Sequence, residues 1–416
     1  MTEPATLGVI PGAALAQLRR VADGLVVGIA ASLPWSTSAT SILVVVWLLA
    51  TLPTLDLAAI RRVLLTPAGG LPAALVLLAV MGLVWADVPW AERFDGLGAF
   101  AKLAVLPLLI AQFYRSDQGR WVLVGFVASA TLLLALSWAF VLRVPFDPGM
   151  FWTAKQPGIP VKDYISQSGI FTICAFALLD HAFLAWRERR DIRAMVGGVL
   201  LALLFLLNIF FVATSRTTVM VIPILLVLFG FIRLGRKQLI GVMLIGVVSG
   251  VVIWETSPYL RQRVTHLFVE VEEYRDPTAE TSAGYRIGFW AMSLRALGEA
   301  PVIGHGTGSI GEVFRGQGSE TAVNPHNQVF AVGIQLGVIG VLTLIAMWVS
   351  HWRLFLDVSA AGWFGLVVVT QNVVSSLFNS HLSDFTQGWI YVVGVGVAAG
   401  MIMQARLFNT DRGVGR

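Results

Sequence analysis

Apolar stretches of roughly 20 residues, each long enough to carry a helix across a bilayer, recur along almost the whole chain with only short charged or Pro/Gly-rich breaks between them. Cutting at those breaks gives about twelve candidate spans: 21–34, 38–54, 71–87, 97–113, 121–141, 167–186, 195–213, 218–232, 239–255, 327–350, 359–377 and 387–404. Lipid offers the backbone no hydrogen-bond partner, and the alternation of a β-barrel is absent, so each span is expected to be helical. The first and eighth are short and are the ones most open to displacement or kinking. A 416-residue chain that is 56% hydrophobic and 13% charged, with a mean hydropathy of +0.78, excludes a soluble globular domain. Arg19 and Arg20 precede the first apolar run as in a secretory signal, but further spans follow at once, so an uncleaved first anchor is expected.

Charge orients the spans. With the N-terminus in the cytoplasm, 17 of the 29 Lys and Arg residues fall in cytoplasmic segments, among them Arg61, Arg62, Arg115, Arg120, the run 187–193, the run 233–237, Arg353 and the C-terminal tail. Both termini are then cytoplasmic. The other 12 lie on or near the outer side, against the topological bias. Arg143, Lys155 and Lys162 occupy the loop 142–166, and Arg261, Arg263, Arg275, Arg286, Arg295 and Arg315 lie in the long segment 256–326. An anionic substrate at the outer surface accounts for them. No nucleic-acid motif accompanies the basic balance, so lipid phosphate is the expected partner and nucleic acid is not. The lone Cys174 lies inside the sixth span and permits no disulfide within a monomer.

The chain therefore divides into spans one to nine (1–255, including the outer loop 142–166), an outer helical segment (256–326), and spans ten to twelve with a cytoplasmic tail (327–416). The outer segment is too long for a bare connector. It reads as two amphipathic helices, 258–275 with Glu270, Glu272 and Glu273 beside its arginines, and 284–298, where Arg286 and Trp290 fall one turn apart on one face. Pro301, Gly304, Gly306 and Gly308 then impose a turn, which either returns the chain to the membrane or cradles a phosphate with its amides, although the spacing fits no nucleotide-binding loop. Asn324 is a natural N-cap and Pro325 a natural first helical residue, which places His326 in the first turn of the tenth span. There the helix dipole and neighbouring arginines disfavour the imidazolium, so His326 suits a general base.

Other residues carry two readings each. Arg216, in the turn after the seventh span, either snorkels to headgroups or grips phosphate bidentately. Lys102 is expected to be structural. Asp384 precedes the twelfth span as an N-cap, or orients His326, or holds an acceptor sugar. His305 and His381 compete with His326 for the base, and no DxD pair marks a metal-dependent nucleotide-sugar enzyme.

Arg286 with Trp290, Pro301 with Gly304 and Gly306, the His326-Asn327 pair opening a span, and the Ser215-Arg216 turn together resemble the O-antigen ligase and polymerase superfamily. The topology resembles that family throughout, and the specific motifs occupy about 45 residues. With one long periplasmic segment, the chain is most similar to the ligases. The resemblance implies an all-α polytopic fold of the membrane glycosyltransferase C type in a bacterial inner membrane, with its active site on the periplasmic face. It implies no cofactor and metal-independent, inverting transfer of O-antigen from undecaprenyl pyrophosphate to lipid A-core. Residue by residue, it carries catalytic roles to His326, Arg216 and Arg286. Substrate contacts are expected from Arg143, Lys155, Arg261, Arg263, Trp290, Asn327 and Asp384. An O-antigen polymerase or a protein O-oligosaccharyltransferase sharing the donor stays open, as does a lipid-linked glycan flippase or transporter, which would place its charges near the bilayer midplane.

Overall fold

The computed structural model describes residues 12–143, 157–258, 260–262, 265, 282–319 and 322–413. These form sixteen α-helices and no β-strand among the described residues: α1 Gly12–Ser32, α2 Thr37–Thr51, α3 Leu57–Leu64, α4 Pro67–Gly82, α5 Trp90–Ala101, α6 Val105–Phe113, α7 Gly119–Val141, α8 Tyr164–Leu184, α9 Ile192–Phe211, α10 Arg216–Arg233, α11 Arg236–Thr256, α12 Ser282–Glu299, α13 Ile310–Gly316, α14 Gln328–Leu354, α15 Ala360–Ser376 and α16 Phe385–Gly413. Many start at a short polar side chain that accepts from the first free backbone amides: Ser36, Asp56, Thr66, Asp163, Asp191, Ser215, Asn327 and Ser359 all cap in this way.

Each of the twelve expected spans corresponds to a helix or a helix pair. Nine described helices are long and apolar enough to cross a membrane, or ten if the pair α3–α4, bent by 87°, counts as one broken span. The remaining expected spans fall short of that test for visible reasons. α1 begins at Gly12, ahead of the expected start, and so takes in Arg19, Arg20 and Asp23, while α15 is 17 residues long. The short eighth span is a full helix, α10, with Pro223 inside it. Of the outer segment, 284–298 is helical as α12, and most of 258–275, including Glu270, Glu272, Glu273, Arg263 and Arg275, lies outside the described residues, as does Lys155.

α8, α15, α16 and α6 form the centre, with Phe171, Phe176, Trp363, Val367, Tyr391 and Val395 fully covered. α11 lies at the opposite extreme, packed on α10 with none of its residues buried, as expected of a helix whose remaining surface meets lipid. The bundle has two polar ends. One carries the starts of α8, α10, α14 and α16. At the other, Arg233 forms a buried ion pair with Asp180 at 2.5 Å and donates to the carbonyls of Val358 and Ser359, tying α8, α10 and the start of α15 together.

Candidate active site

His326 does not sit in a helical turn. Its φ is +51°, in the left-handed region, and α14 begins two residues later at Gln328. The cap is Asn327, whose side-chain oxygen accepts from the amides of Val329 (2.9 Å) and Phe330 (3.2 Å) and whose side-chain nitrogen donates to Leu377 O. Asn324 caps a turn instead: its Oδ1 accepts from the His326 amide at 2.9 Å and from Ser380 Oγ at 2.7 Å. Left-handed backbone at a non-glycine residue is held here by that asparagine turn on one side and the α14 cap on the other. His326 is thereby presented from a loop.

The ring is gripped at one nitrogen. His326 Nδ1 lies 3.0 Å from Asn379 Oδ1, and Asn379 Nδ2 donates to Asp384 Oδ2 at 3.3 Å. A carboxylate can only accept, so the amide must turn its nitrogen to Asp384 and its oxygen to the ring. Nδ1 is then the donor, and in the neutral ring Nε2 is the acceptor. Phe289 of α12 lies nearly parallel to the ring, with centroids 6.1 Å apart and 22° between planes. Arg286 is one turn earlier on the same helix, and Trp290 packs against Phe330 of α14.

Asp384 occupies the position before α16, its carbonyl accepting from the Gly388 amide, as the N-cap reading expects; its carboxylate turns away from the helix to Asn379 and to within 3.3 Å of His381 Nδ1. Its link to His326 runs through Asn379. Lys102, buried, donates to the carbonyls of Ser383 (2.7 Å) and Asp384 (2.9 Å) and so holds this loop, which is the structural role expected of it. Lys162 donates to Thr386 Oγ1 at 2.7 Å, and burial lowers its pKa to about 8. Asn379 carried no signal in the sequence: an asparagine 53 positions from its histidine becomes visible only when α15 and α14 are packed.

Arg216 is the first residue of α10, behind the Ser215 cap, and Thr218 of the same turn donates to Ser168 of α8 at 3.0 Å. Arg216 therefore stands at the same end of the bundle as His326. Arg143 lies in the turn just after α7, exposed and at φ +51°; Arg261 is 3.9 Å from Glu255. Neither reaches the His326 cluster through any contact among the described residues.

Several expectations change. His305 directs Nε2 at Ala296 O (2.9 Å), and His381 is buried, so neither is placed like His326. The glycine turn cannot cradle a phosphate. The amides of His305, Gly306 and Thr307 donate to Ile334, Gln335 and Gly82 carbonyls, and that of Gly308 to Gln335 Oε1. The turn instead fills a break in α14, where Gly337 has φ +59° and Val338 N donates to Pro301 O. A Cβ on Gly304 would lie about 2.5 Å from Gln335 backbone, so the motif is required for close backbone approach. Two outer arginines also need no substrate to explain them: Arg315 pairs with Glu312 and Glu92, and Arg295 donates to Gln317.

Fold and site together define a multi-pass helical membrane protein in which, among the described residues, the His326 cluster lies at an end of the bundle, where chemistry at a membrane surface is possible. Residues 201–345 match the family model described as O-antigen ligase, consistent with a member of the O-antigen ligase and polymerase superfamily. That family implies glycosyltransferase-like ligase or polymerase activity in a multi-pass inner-membrane protein. The matched stretch contains Arg216, Arg286, Trp290, the glycine turn, His326 and Asn327, while Asn379 and Asp384 lie beyond it. No curated protein matches the chain.

Proposed function

We propose that this protein is an O-antigen ligase of the membrane glycosyltransferase C type, transferring glycan from undecaprenyl pyrophosphate to lipid A-core at the periplasmic face, without a metal ion and with inversion. The observation that carries the reading is the half-buried His326, anchored at Nδ1 by Asn379 and Asp384 with Nε2 left to accept a proton.

In the reaction, an acceptor sugar hydroxyl attacks the anomeric carbon. Its proton passes to His326 Nε2, the bond from that carbon to the pyrophosphate oxygen breaks, and undecaprenyl pyrophosphate leaves with the electron pair. Positioned general-base catalysis of this kind contributes about 10² to 10⁴ in rate. Arg216 and Arg286 stabilise the charge growing on the leaving pyrophosphate, since a guanidinium in a water-poor site is worth more than in bulk water. Trp290, packed on Phe330, and Asn327, the α14 cap, contact the substrate from the elements that flank His326. Arg143, Lys155, Arg261 and Arg263 hold the phosphorylated acceptor, which places outer positive charge where topology does not ask for it.

The test is transfer in a purified system: lipid-linked O-antigen with lipid A-core, wild type against His326→Ala, with EDTA present. A ladder on the core that the variant fails to make supports the ligase. Elongation of the lipid-linked glycan alone makes it a polymerase, and full activity in an abundant His326→Ala protein removes the base assignment. Transfer to neither, with movement of the lipid-linked glycan between leaflets, would make it a transporter.

A further inference from the structure

A cavity of about 290 Å³ lies at the end of the bundle opposite His326, bounded by α1, the end of α2, α3 and the turn from α6 to α7. Its ionisable lining is three arginines, Arg19, Arg20 and Arg115, against three aspartates, Asp23, Asp56 and Asp117. The balance is even, but only one arginine and one aspartate pair with each other among the described residues. Arg115 and Asp56 form an ion pair at 3.3 Å, and Asp56 also caps α3. Asp117 is exposed at the edge and accepts from Gln118.

That leaves two mismatches of opposite sign. Asp23 is buried, and its two oxygens accept from Gln112 Nε2 and Ser116 Oγ, both at 2.7 Å. Both donors are neutral, and no cation pairs with Asp23 among the described residues, although a buried carboxylate ordinarily has one. Gln112 is itself fixed by accepting from Trp47 Nε1, so the carboxylate is held rigidly. Arg19 and Arg20 are exposed on the same helix, four and three residues earlier, and have no ion-pair partner among the described residues. The cavity thus has an anionic floor and a cationic rim.

A ligand complementary to that order carries an ammonium at its tip and a phosphate behind it. We propose that this cavity binds a phosphoethanolamine headgroup, its ammonium on Asp23 and its phosphate on Arg19 and Arg20. The order of charges decides between lipids. In a phosphatidylethanolamine the ammonium is the far end of the headgroup and the phosphate lies nearer the acyl chains, so the tip enters the cavity while the chains stay in the membrane. An anionic glycerol headgroup offers Asp23 only neutral hydroxyl donors and no compensating charge, and a trimethylammonium fills the space but cannot donate a hydrogen bond to the carboxylate. The proposal does not depend on the reaction at His326.

The experiment is native mass spectrometry of the purified full-length protein with phosphatidylethanolamine, its mono- and dimethyl derivatives, phosphatidylcholine and phosphatidylglycerol of identical chains. One ethanolamine lipid should be retained per protein, about tenfold above the choline lipid, with affinity falling stepwise as N–H donors are replaced, by the strength of charge-assisted hydrogen bonds. Asp23→Asn should abolish that preference and leave phosphatidylglycerol binding unchanged, and the double variant Arg19→Gln/Arg20→Gln should weaken all phosphate lipids. Soluble glycerophosphoethanolamine competing at equal concentration would assign the site to a free metabolite of the same chemistry. Equal retention of ethanolamine and choline lipids by wild-type protein overturns the proposal with no variant needed, as does an Asp23→Asn protein with the preference intact.

Discussion

His351 and His326 belong to one helix and the loop that opens it, and their surroundings are opposite. His351 is fully buried, with Nε2 at 2.9 Å from Ala68 O and Nδ1 at 2.7 Å from Tyr391 Oη. A carbonyl only accepts, so Nε2 carries a proton, and Nδ1 is taken up by the tyrosine hydroxyl; both nitrogens are engaged. His326 is half-buried, strained in its backbone and bonded at one nitrogen. At the same end as His351, Arg233 is likewise saturated, by a carboxylate and two carbonyls. Saturation at one end builds the bundle, and a lone pair left open at the other permits chemistry.

The largest effect expected from that contrast is in turnover. His326→Ala should lower the transfer rate by about 10² to 10⁴ without moving the thermal midpoint, whereas His351→Ala should lower the midpoint and leave the rate per folded molecule unchanged. If both substitutions act on the midpoint alone, the contrast fails. Next in size, Arg233→Ala leaves Asp180 buried and uncompensated, a loss of about 3–5 kcal/mol that should appear in detergent unfolding. The double variant Arg233→Met/Asp180→Leu should recover much of it.

Asn379→Ala should reduce kcat by about tenfold or more with KM little changed, because the ring loses its tautomer and orientation. Asn379→Asp is the sharper probe: a carboxylate beside the ring favours its charged form, so the acid limb of the kcat/KM profile should move up by about 1 pH unit or more. A residue that merely braced the loop would leave that limb in place. The smallest effect concerns Lys162. Burial holds its ammonium at about 8, below the ordinary 10.5. Between those two values the unfolded chain binds more protons than the folded one, so stability should rise as pH climbs from about 8 to 10.5. The rise should be smaller in Lys162→Gln, read by thermal midpoint across that window.

Most of the helical architecture was legible in the sequence, because a bilayer leaves an apolar run of sufficient length only one way to satisfy its backbone. The motif residues were also legible as residues. Their arrangement was not, for reasons that differ by position. A cap is a local competition, and Asn324, Pro325 and Asn327 offer two solutions in four residues; packing against Leu377 and Ser380 selected the second. The glycine turn looked like a possible phosphate cradle because its freedom is local, while the carbonyls that take up its amides come from α4 and α14. Arg295 looked available because its partner lies 22 residues away, and of the two carboxylates that pair with Arg315, Glu92 lies 223 residues away.

The sequence alone determined that this chain is a helical membrane protein, which end of each helix carries its charge, and which histidine has the resemblance behind it. The tertiary structure alone decided that Asn379 and Asp384 stand behind His326, that Lys102 fixes their loop, and that Asp23 is buried facing a cavity with no cation paired to it among the described residues. Spans follow from composition, a property of consecutive residues. Hydrogen-bond partners follow from the packing of helices distant in sequence, which no local pattern records.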